Sequence, residues 1–296
     1  MMEGLAPIDG WALAAILAKS LGYGAALLAI GGPLFVVAFR TAPDDALRLV
    51  RNIAVLAALI SVAILAVQFG IRSARISGMG LAGATDLMML GFVWDSPLGT
   101  AAIWRCAGLI LVLAILIEGA VGIGASLIGV LLIAASFTQI GHALGNPRWI
   151  LASLLTVHLL VAAFWIAALA PLWRIVEHRG GAILLHRFGK IASITVTVLV
   201  IVGVAFAWMM VGSITALFTT AYGWCLLGKI SFVSGLMSLA AYNKCLLVPA
   251  LSLGSAFSVP RLMPSIRLDF APTFLVSSTL LFLPPHLPLF LSFFPL

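Results

Sequence analysis

In this chain of 296 residues, 63% are hydrophobic and only 8% are charged, which excludes an ordinary soluble domain. The formal charge of +7 does not indicate nucleic-acid binding, because no basic stretch is interleaved with aromatic residues in a polar setting. Apolar runs of about 20 residues recur along the chain, and each can cross the hydrocarbon of a bilayer. Since the alternating pattern of a membrane barrel strand is absent, we predict an all-α, polytopic transmembrane helical bundle.

About eight spans follow one another along the chain. The first, at about 11–39, lacks a basic start and is too long for a signal peptide, so we interpret it as a retained transmembrane helix. The next six are expected at about 53–71, 100–117, 121–142, 150–173, 191–211 and 224–251. The last span, after Arg267, is expected to be irregular because each proline removes a backbone donor. We therefore divide the chain into a helical bundle at 1–253 and an irregular hydrophobic segment at 254–296.

Two features of the connections add to this picture. Between the second and third spans, the semi-apolar stretch 87–94 is expected to be a re-entrant or interfacial piece. With the N-terminus outside, ten of the 16 Lys and Arg residues fall in inner loops and three in outer loops. Because Lys and Arg accumulate in cytoplasmic loops, we predict that the N-terminus is outside.

Two histidines in apolar sequence are the first candidates for a functional site. His142 ends the fourth span and His158 lies in the fifth, with Asn146-Pro147 in the short link between them. Ionisable side chains at membrane depth are costly and usually face a bundle interior, and neutral imidazole is a common metal ligand. Helical rise from the link gives the two rings depths that differ by roughly 10 Å. A purely structural histidine, bonded to a neighbouring carbonyl, stays open as the alternative.

Other residues are weighed against plainer roles. Met209 and Met210 carry soft thioether donors that suit Cu(I), although methionine is also a common gap-filler in apolar helices. Arg105 and Glu118 lie near span ends and are expected at the membrane interface, and Lys229 is expected to face the bundle in a structural role.

Several classes of chemistry have no support in the sequence. The three cysteines show no CxxC spacing, so neither a disulfide framework nor a zinc site is expected. No nucleophile stands with a base and an orienting group, and there is no phosphate-binding loop or ATP-binding motif, so we do not expect an enzyme.

Four stretches carry a resemblance when taken together: SFTQIGHALG, LLTVHLLVAAFWIAAL, RFGKIASITVTVLVIVGVAFAWMMVGS and TAYGWCLLGKISFVSGLMSLAAYNKCLLVPAL. Over about 90–253 they resemble the copper resistance protein D family of bacterial inner-membrane proteins. The matching positions are Gly141-His142, His158, Trp165, Arg187-Phe188, Tyr222-Gly223, Lys229 and Asn243. The family's Trp-x-Gly-Gly is here Trp165-Ile166-Ala167-Ala168, which keeps small residues at a helix-packing position.

The resemblance implies a multi-pass protein of the bacterial inner membrane that moves copper ions from the periplasm toward the cytoplasm. It implies contact with the lipid bilayer and with a separate periplasmic copper-binding protein. The metal site would then comprise His142 and His158 in the outer half of the bundle, with Met209 and Met210 as further candidate ligands. A haem-binding electron-transfer protein is the alternative, since paired histidines on adjacent helices can ligate haem iron. A structural or assembly subunit without a metal is a third interpretation.

Overall fold

A computed structural model describes residues 9–140, 147–178 and 181–242, and these residues form ten α-helices and no strand. The helices are α1 (Gly10–Ala38), α2 (Asp44–Ser77), α3 (Leu81–Ala84), α4 (Leu87–Trp94), α5 (Pro97–Val112), α6 (Ala120–Ser136), α7 (Arg148–Glu177), α8 (Gly181–Val211), α9 (Ile214–Thr219) and α10 (Ala221–Tyr242). Short 3₁₀ turns at Leu113–Leu116 and Phe137–Gln139 extend α5 and α6. We call the end of the bundle at which α1 begins the outer end.

Six of these helices are long and apolar enough to cross a membrane: α1, α2, α5 and α6 with their 3₁₀ extensions, α7 and α8. They correspond to the first six predicted spans, so the prediction of a polytopic helical bundle is confirmed. The seventh span corresponds to α10, whose apolar part runs over Leu226–Gly235. The eighth span and the segment 254–296 lie outside the described residues.

Helix α2 is longer at both ends than the predicted span 53–71. Asp44 and Asp45 occupy its first turn, where carboxylates favour the positive end of the helix dipole. Gly78 ends the helix in a left-handed conformation at φ 67°, which glycine adopts without steric cost. The polar ends of α2 therefore extend beyond the apolar core from which the span was predicted.

The semi-apolar stretch 87–94 forms the short helix α4 over the same residues. The Asp86 carboxylate accepts a hydrogen bond from the backbone N–H of Met89 at 2.8 Å, which fixes the start of the helix. Leu87 and Phe92 are exposed on α4, while Trp94 lies against Phe69 of α2 with ring centroids 6.1 Å apart. An interfacial position for this helix stays a prediction.

The bundle is held together by two layers of buried side chains. The inner core joins α1, α2, α7, α8 and the 3₁₀ extension of α5, and in it Phe39 packs against Phe35 and Phe164 with ring centroids 4.8 and 6.4 Å apart. The outer core joins α1, α2, α5, α6 and α7, and its Leu109 and Ile133 side chains are fully buried. Helix α7 contributes to both layers and so connects them.

Small residues let the helices approach closely at their crossings. A Cβ on Gly31 of α1 would collide with Ala163 and Ala167 of α7, and one on Gly108 of α5 would lie 2.6 Å from the carbonyl oxygen of Gly129 on α6. Close backbone approach through small residues is the usual basis of helix association in membranes. The Ala167 methyl thus occupies a contact that α1 keeps open with a glycine, and the expected small-residue packing is confirmed.

Helix α8 is attached mainly along α7, with only a small part of its membrane-spanning length buried. The start of α8 is anchored in the inner core, where Phe188 packs on Phe39, Phe164 and Trp165. Further along, the side chains of Ile194, Ile201 and Val204 are exposed among the described residues. This half of α8 therefore presents an apolar surface beside α7.

Candidate functional site

His158 is the intramembrane histidine that the structure describes. It lies on α7 ten residues after Arg148, which corresponds to about 15 Å along the helix from its outer end. The side chain is half-buried, and the next residue, Leu159, is 2% exposed in the outer core. His142 falls in 141–146, outside the described residues, so its distance from His158 stays untested.

The face of α7 that carries His158 is directed at α8. Trp165 follows His158 by seven residues, close to two full turns, and therefore lies on the same face. Its indole Nε1 donates a hydrogen bond to Thr195 Oγ1 of α8 at 3.0 Å, and its ring meets Phe188 edge-on at 5.8 Å. Trp165 thus fixes the α7–α8 contact about 10 Å inward of the histidine.

The Trp165–Thr195 hydrogen bond gives a common reference point for depth on α7 and α8, which run in opposite directions. The depth of the candidate methionines can be counted from it. His158 is seven residues outward of Trp165, whereas Met209 is fourteen residues outward of Thr195. Met209 is half-buried and lies about 10 Å nearer the outer end than His158. The backbone of Met210 is helical, and its side chain lies outside the described part of the structure.

A second polar cluster, which the sequence did not reveal, surrounds Arg105. The expectation that Arg105 lies at the interface is wrong, because its side chain is only 7% exposed inside the bundle. Residues at three- and four-residue spacing on α5, such as Ala101, Gly108 and Leu109, are small or fully buried and mark this as the packed face of the helix. This spacing of small and apolar residues was the sequence signal for the packed face of α5. The charge of Arg105 favoured an exposed position and so obscured that signal.

The guanidinium of Arg105 is held by groups from α6. Its Nε donates to Ser136 Oγ at 3.0 Å, and Ser136 in turn donates to the Ile133 carbonyl at 2.7 Å. The guanidinium carbon lies 4.0 Å from the centroid of the Phe137 ring, a cation–π distance. On α1, Tyr23 packs against Phe137 with ring centroids 4.5 Å apart. Arg105 therefore joins α1, α5 and the outer end of α6.

Two residues bracket the link that carries His142. Gln139, in the 3₁₀ turn after α6, accepts a hydrogen bond at its Oε1 from Arg148 Nη2 of α7 at 3.3 Å. This pair connects the described ends on either side of 141–146. The link therefore begins a few residues after the Arg105 contacts at Ser136 and Phe137.

The described residues contain no group of three or more His, Cys, Asp or Glu side chains that could hold a metal ion. Cys106 is a free, half-buried cysteine beside Arg105 in sequence. At the inner end, His178 Nε2 lies 3.3 Å from Asp45 Oδ1 and joins the end of α7 to the start of α2. A copper site on this chain would therefore need ligands beyond such a cluster, such as His142 or thioether sulfur.

Comparison with known proteins gives two matches to family models. The model described as "Copper resistance protein D-like, N-terminal domain" matches residues 8–149, and the model described as "Copper resistance protein D" matches residues 182–282. The matches extend beyond the stretch 90–253 at both ends but leave residues 150–181, with His158 and Trp165, unmatched. No curated protein and no solved structure matched the chain.

Proposed function

The chain belongs to the copper resistance protein D family, and we propose that it moves copper ions across the bacterial inner membrane, from the periplasm toward the cytoplasm. Membership makes it a multi-pass membrane protein of copper resistance. The direction of copper movement, the inner membrane as the location and the copper ligands are proposed in addition. No enzymatic step is included, and a separate periplasmic protein is proposed to deliver the copper.

The observation that carries the proposal is the place of His158 in α7. An imidazole about 15 Å inside a spanning helix is costly unless it serves a bonded or ligating role. No hydrogen bond joins His158 to another residue within the described ranges, so its ring nitrogens have capacity for a ligand. We therefore assign His158, together with His142, as copper ligands.

The methionines are proposed to act before His158 rather than beside it. Met209 lies about 10 Å nearer the outer end than His158, too far for one ion to bind both. Thioether sulfur and imidazole both suit Cu(I), which accepts two or three ligands. The sequence likewise predicts His142 roughly 10 Å nearer the outer end than His158, so a copper ion arriving from the periplasm would meet Met209, Met210 and His142 first and then pass to His158.

The family matches favour this proposal over the haem alternative, which they do not support. One optical measurement distinguishes a haem site from a copper site, because a bis-histidine haem gives a Soret band and a copper site does not. Since the sequence has no ATP-binding motif, movement of copper would follow an existing gradient.

The test compares copper accumulation in cells that express wild-type protein, His142→Ala, His158→Ala or His186→Ala. We expect the first two variants to lose the protein-dependent accumulation. His186 is exposed near the inner end of α8, so its variant is the matched control and should retain accumulation. The amount of membrane-inserted protein is measured in each strain by immunoblot.

Unchanged accumulation at equal expression in His158→Ala would contradict the ligand assignment. Detergent-purified wild-type protein should also contain copper and no Soret band, and the double variant His142→Ala/His158→Ala should lose the copper. A Soret band that disappears in the double variant would move the protein to the cytochromes.

A further inference from the structure

Arg105 presents a buried positive charge that its described surroundings satisfy only in part. Its Nε is bonded to Ser136 and its plane is covered by Phe137, but Nη2 is buried and has no hydrogen-bond partner among the described residues. A buried charged donor without a protein partner is rare in folded proteins, and such a donor often binds an ion or an ordered water molecule. The arrangement thus leaves one donor and one charge to be satisfied.

No described carboxylate is placed to neutralise Arg105. The nearest acidic residues in sequence are Asp95 and Glu118, which lie ten and thirteen residues away at opposite ends of α5 and its 3₁₀ extension. Helical rise separates each of them from Arg105 by about 15 Å or more. The salt bridge between His178 and Asp45 lies at the other end of the bundle.

We propose that Nη2 of Arg105 binds a small monovalent anion, of the chloride type, between α1, α5 and α6 in the outer half of the bundle. A water molecule could accept one hydrogen bond from Nη2, but it would leave the charge uncompensated at membrane depth. An anion would accept this hydrogen bond and would also balance the charge. Charge-assisted hydrogen bonds to Arg are among the strongest available. The anion proposal does not depend on the proposed function.

The surroundings favour an anion of low charge. The Phe137 ring covers the guanidinium, and Tyr23 packs against that ring. Because aromatic carbon replaces water over this face, an ion bound there would lose part of its hydration. The cost of dehydrating an ion rises steeply with its charge, so a divalent anion is excluded more strongly than a monovalent one. Chloride and bromide should therefore bind more tightly than sulfate, and gluconate, a large hydrated carboxylate, serves as the replacement anion.

The test is equilibrium binding of radioactive chloride to the full-length, copper-free protein in detergent, with gluconate as the replacement anion. We expect about one displaceable chloride per wild-type chain. Arg105→Gln removes the charge and should reduce binding at least tenfold. Arg148→Gln is the matched control, because it removes an exposed guanidinium near the same end of α6 and should leave binding unchanged.

If Arg105→Gln proves unstable, Arg105→Lys is measured in its place, because lysine keeps the buried charge. A lysine is a point charge without the planar guanidinium fork, so chloride affinity should still fall at least tenfold. Absence of bound chloride in the wild type would overturn the proposal, as would equal binding in wild type and a folded Arg105 variant. Because the assay contains no copper, failure here is distinct from failure of the copper accumulation test.

Discussion

Ser136 is the residue that ties the buried charge of Arg105 to α6. Its hydroxyl accepts from Arg105 Nε and donates to the Ile133 carbonyl, so the hydroxyl both donates and accepts inside the bundle. A buried donor that loses its acceptor retains the full cost of its desolvation. The serine therefore has a larger effect on stability than its small volume suggests.

We expect Ser136→Ala to destabilise the protein by about 1–3 kcal/mol, because the substitution leaves Nε of Arg105 unsatisfied. Ser126→Ala is the control, since Ser126 is equally buried on α6 and donates to the Ile123 carbonyl of its own helix. Thermal unfolding of both variants in the same detergent measures the difference. Equal midpoints for the two variants would show that the Arg105 contact contributes nothing to stability.

At this scale the sequence identified some functional candidates and missed others for a physical reason. His158 was recognisable because an imidazole inside a long apolar run is costly unless it is bonded or ligating. The burial of Arg105 was not recognisable from the sequence, because a charged residue near a predicted span end fits the membrane interface equally well. The serine and aromatic ring that hold Arg105 come from a different helix, and that pairing exists only in the folded bundle.

At the scale of elements, the crossing of α5 and α6 depends on a pair of facing glycines. Cβ atoms added at Gly108 and Gly129 would lie 2.6 and 2.5 Å from the opposite glycine's carbonyl oxygen. The two backbones are therefore in contact, and Arg105 and Ser136 lie one turn and two turns outward of this crossing. A larger side chain here would separate the two helices and lengthen the Arg105–Ser136 hydrogen bond.

We expect Gly108→Leu to destabilise the protein by about 1–3 kcal/mol or more, because overpacking forces backbone shifts. Gly124→Leu, also at this helix pair, is the control, since a Cβ at Gly124 meets nothing within 4 Å. Thermal stability and the yield of monodisperse protein in detergent are compared for the two variants. A Gly108→Leu protein as stable as the Gly124→Leu protein would contradict the close crossing.

The existence of the long helices followed from the sequence, whereas their ends and faces did not. Apolar runs mark the hydrocarbon core, so α2 was predicted only over 53–71 although its polar ends extend it to Asp44–Ser77. The contact of Ala167 with Gly31 needs a partner helix that is distant in sequence. Low amphipathicity in such helices means that hydropathy alone does not show which face packs.

At the scale of the whole molecule, the described packing is concentrated in α1, α2, α5, α6 and α7. These helices supply the outer core, and α8 joins them mainly through α7 and the inner core. Helix α10 contacts α9 and, more weakly, α8 within the described residues. Stability is therefore expected to depend more on the first five spans than on those that follow.

We expect truncation after residue 253 to leave a folded, membrane-inserted protein, because both core layers are built from residues before 192. Truncation after residue 147 is the contrasting variant. It removes α7, and with it Phe164 from the inner core and Leu159 from the outer core, so the remaining helices should not form a stable bundle. Membrane insertion, protease resistance and elution as a single species in detergent are compared for both products. Loss of inserted protein on truncation after 253 would mean that residues 254–296 pack into the bundle, and the two core layers would then depend on a segment outside their own helices.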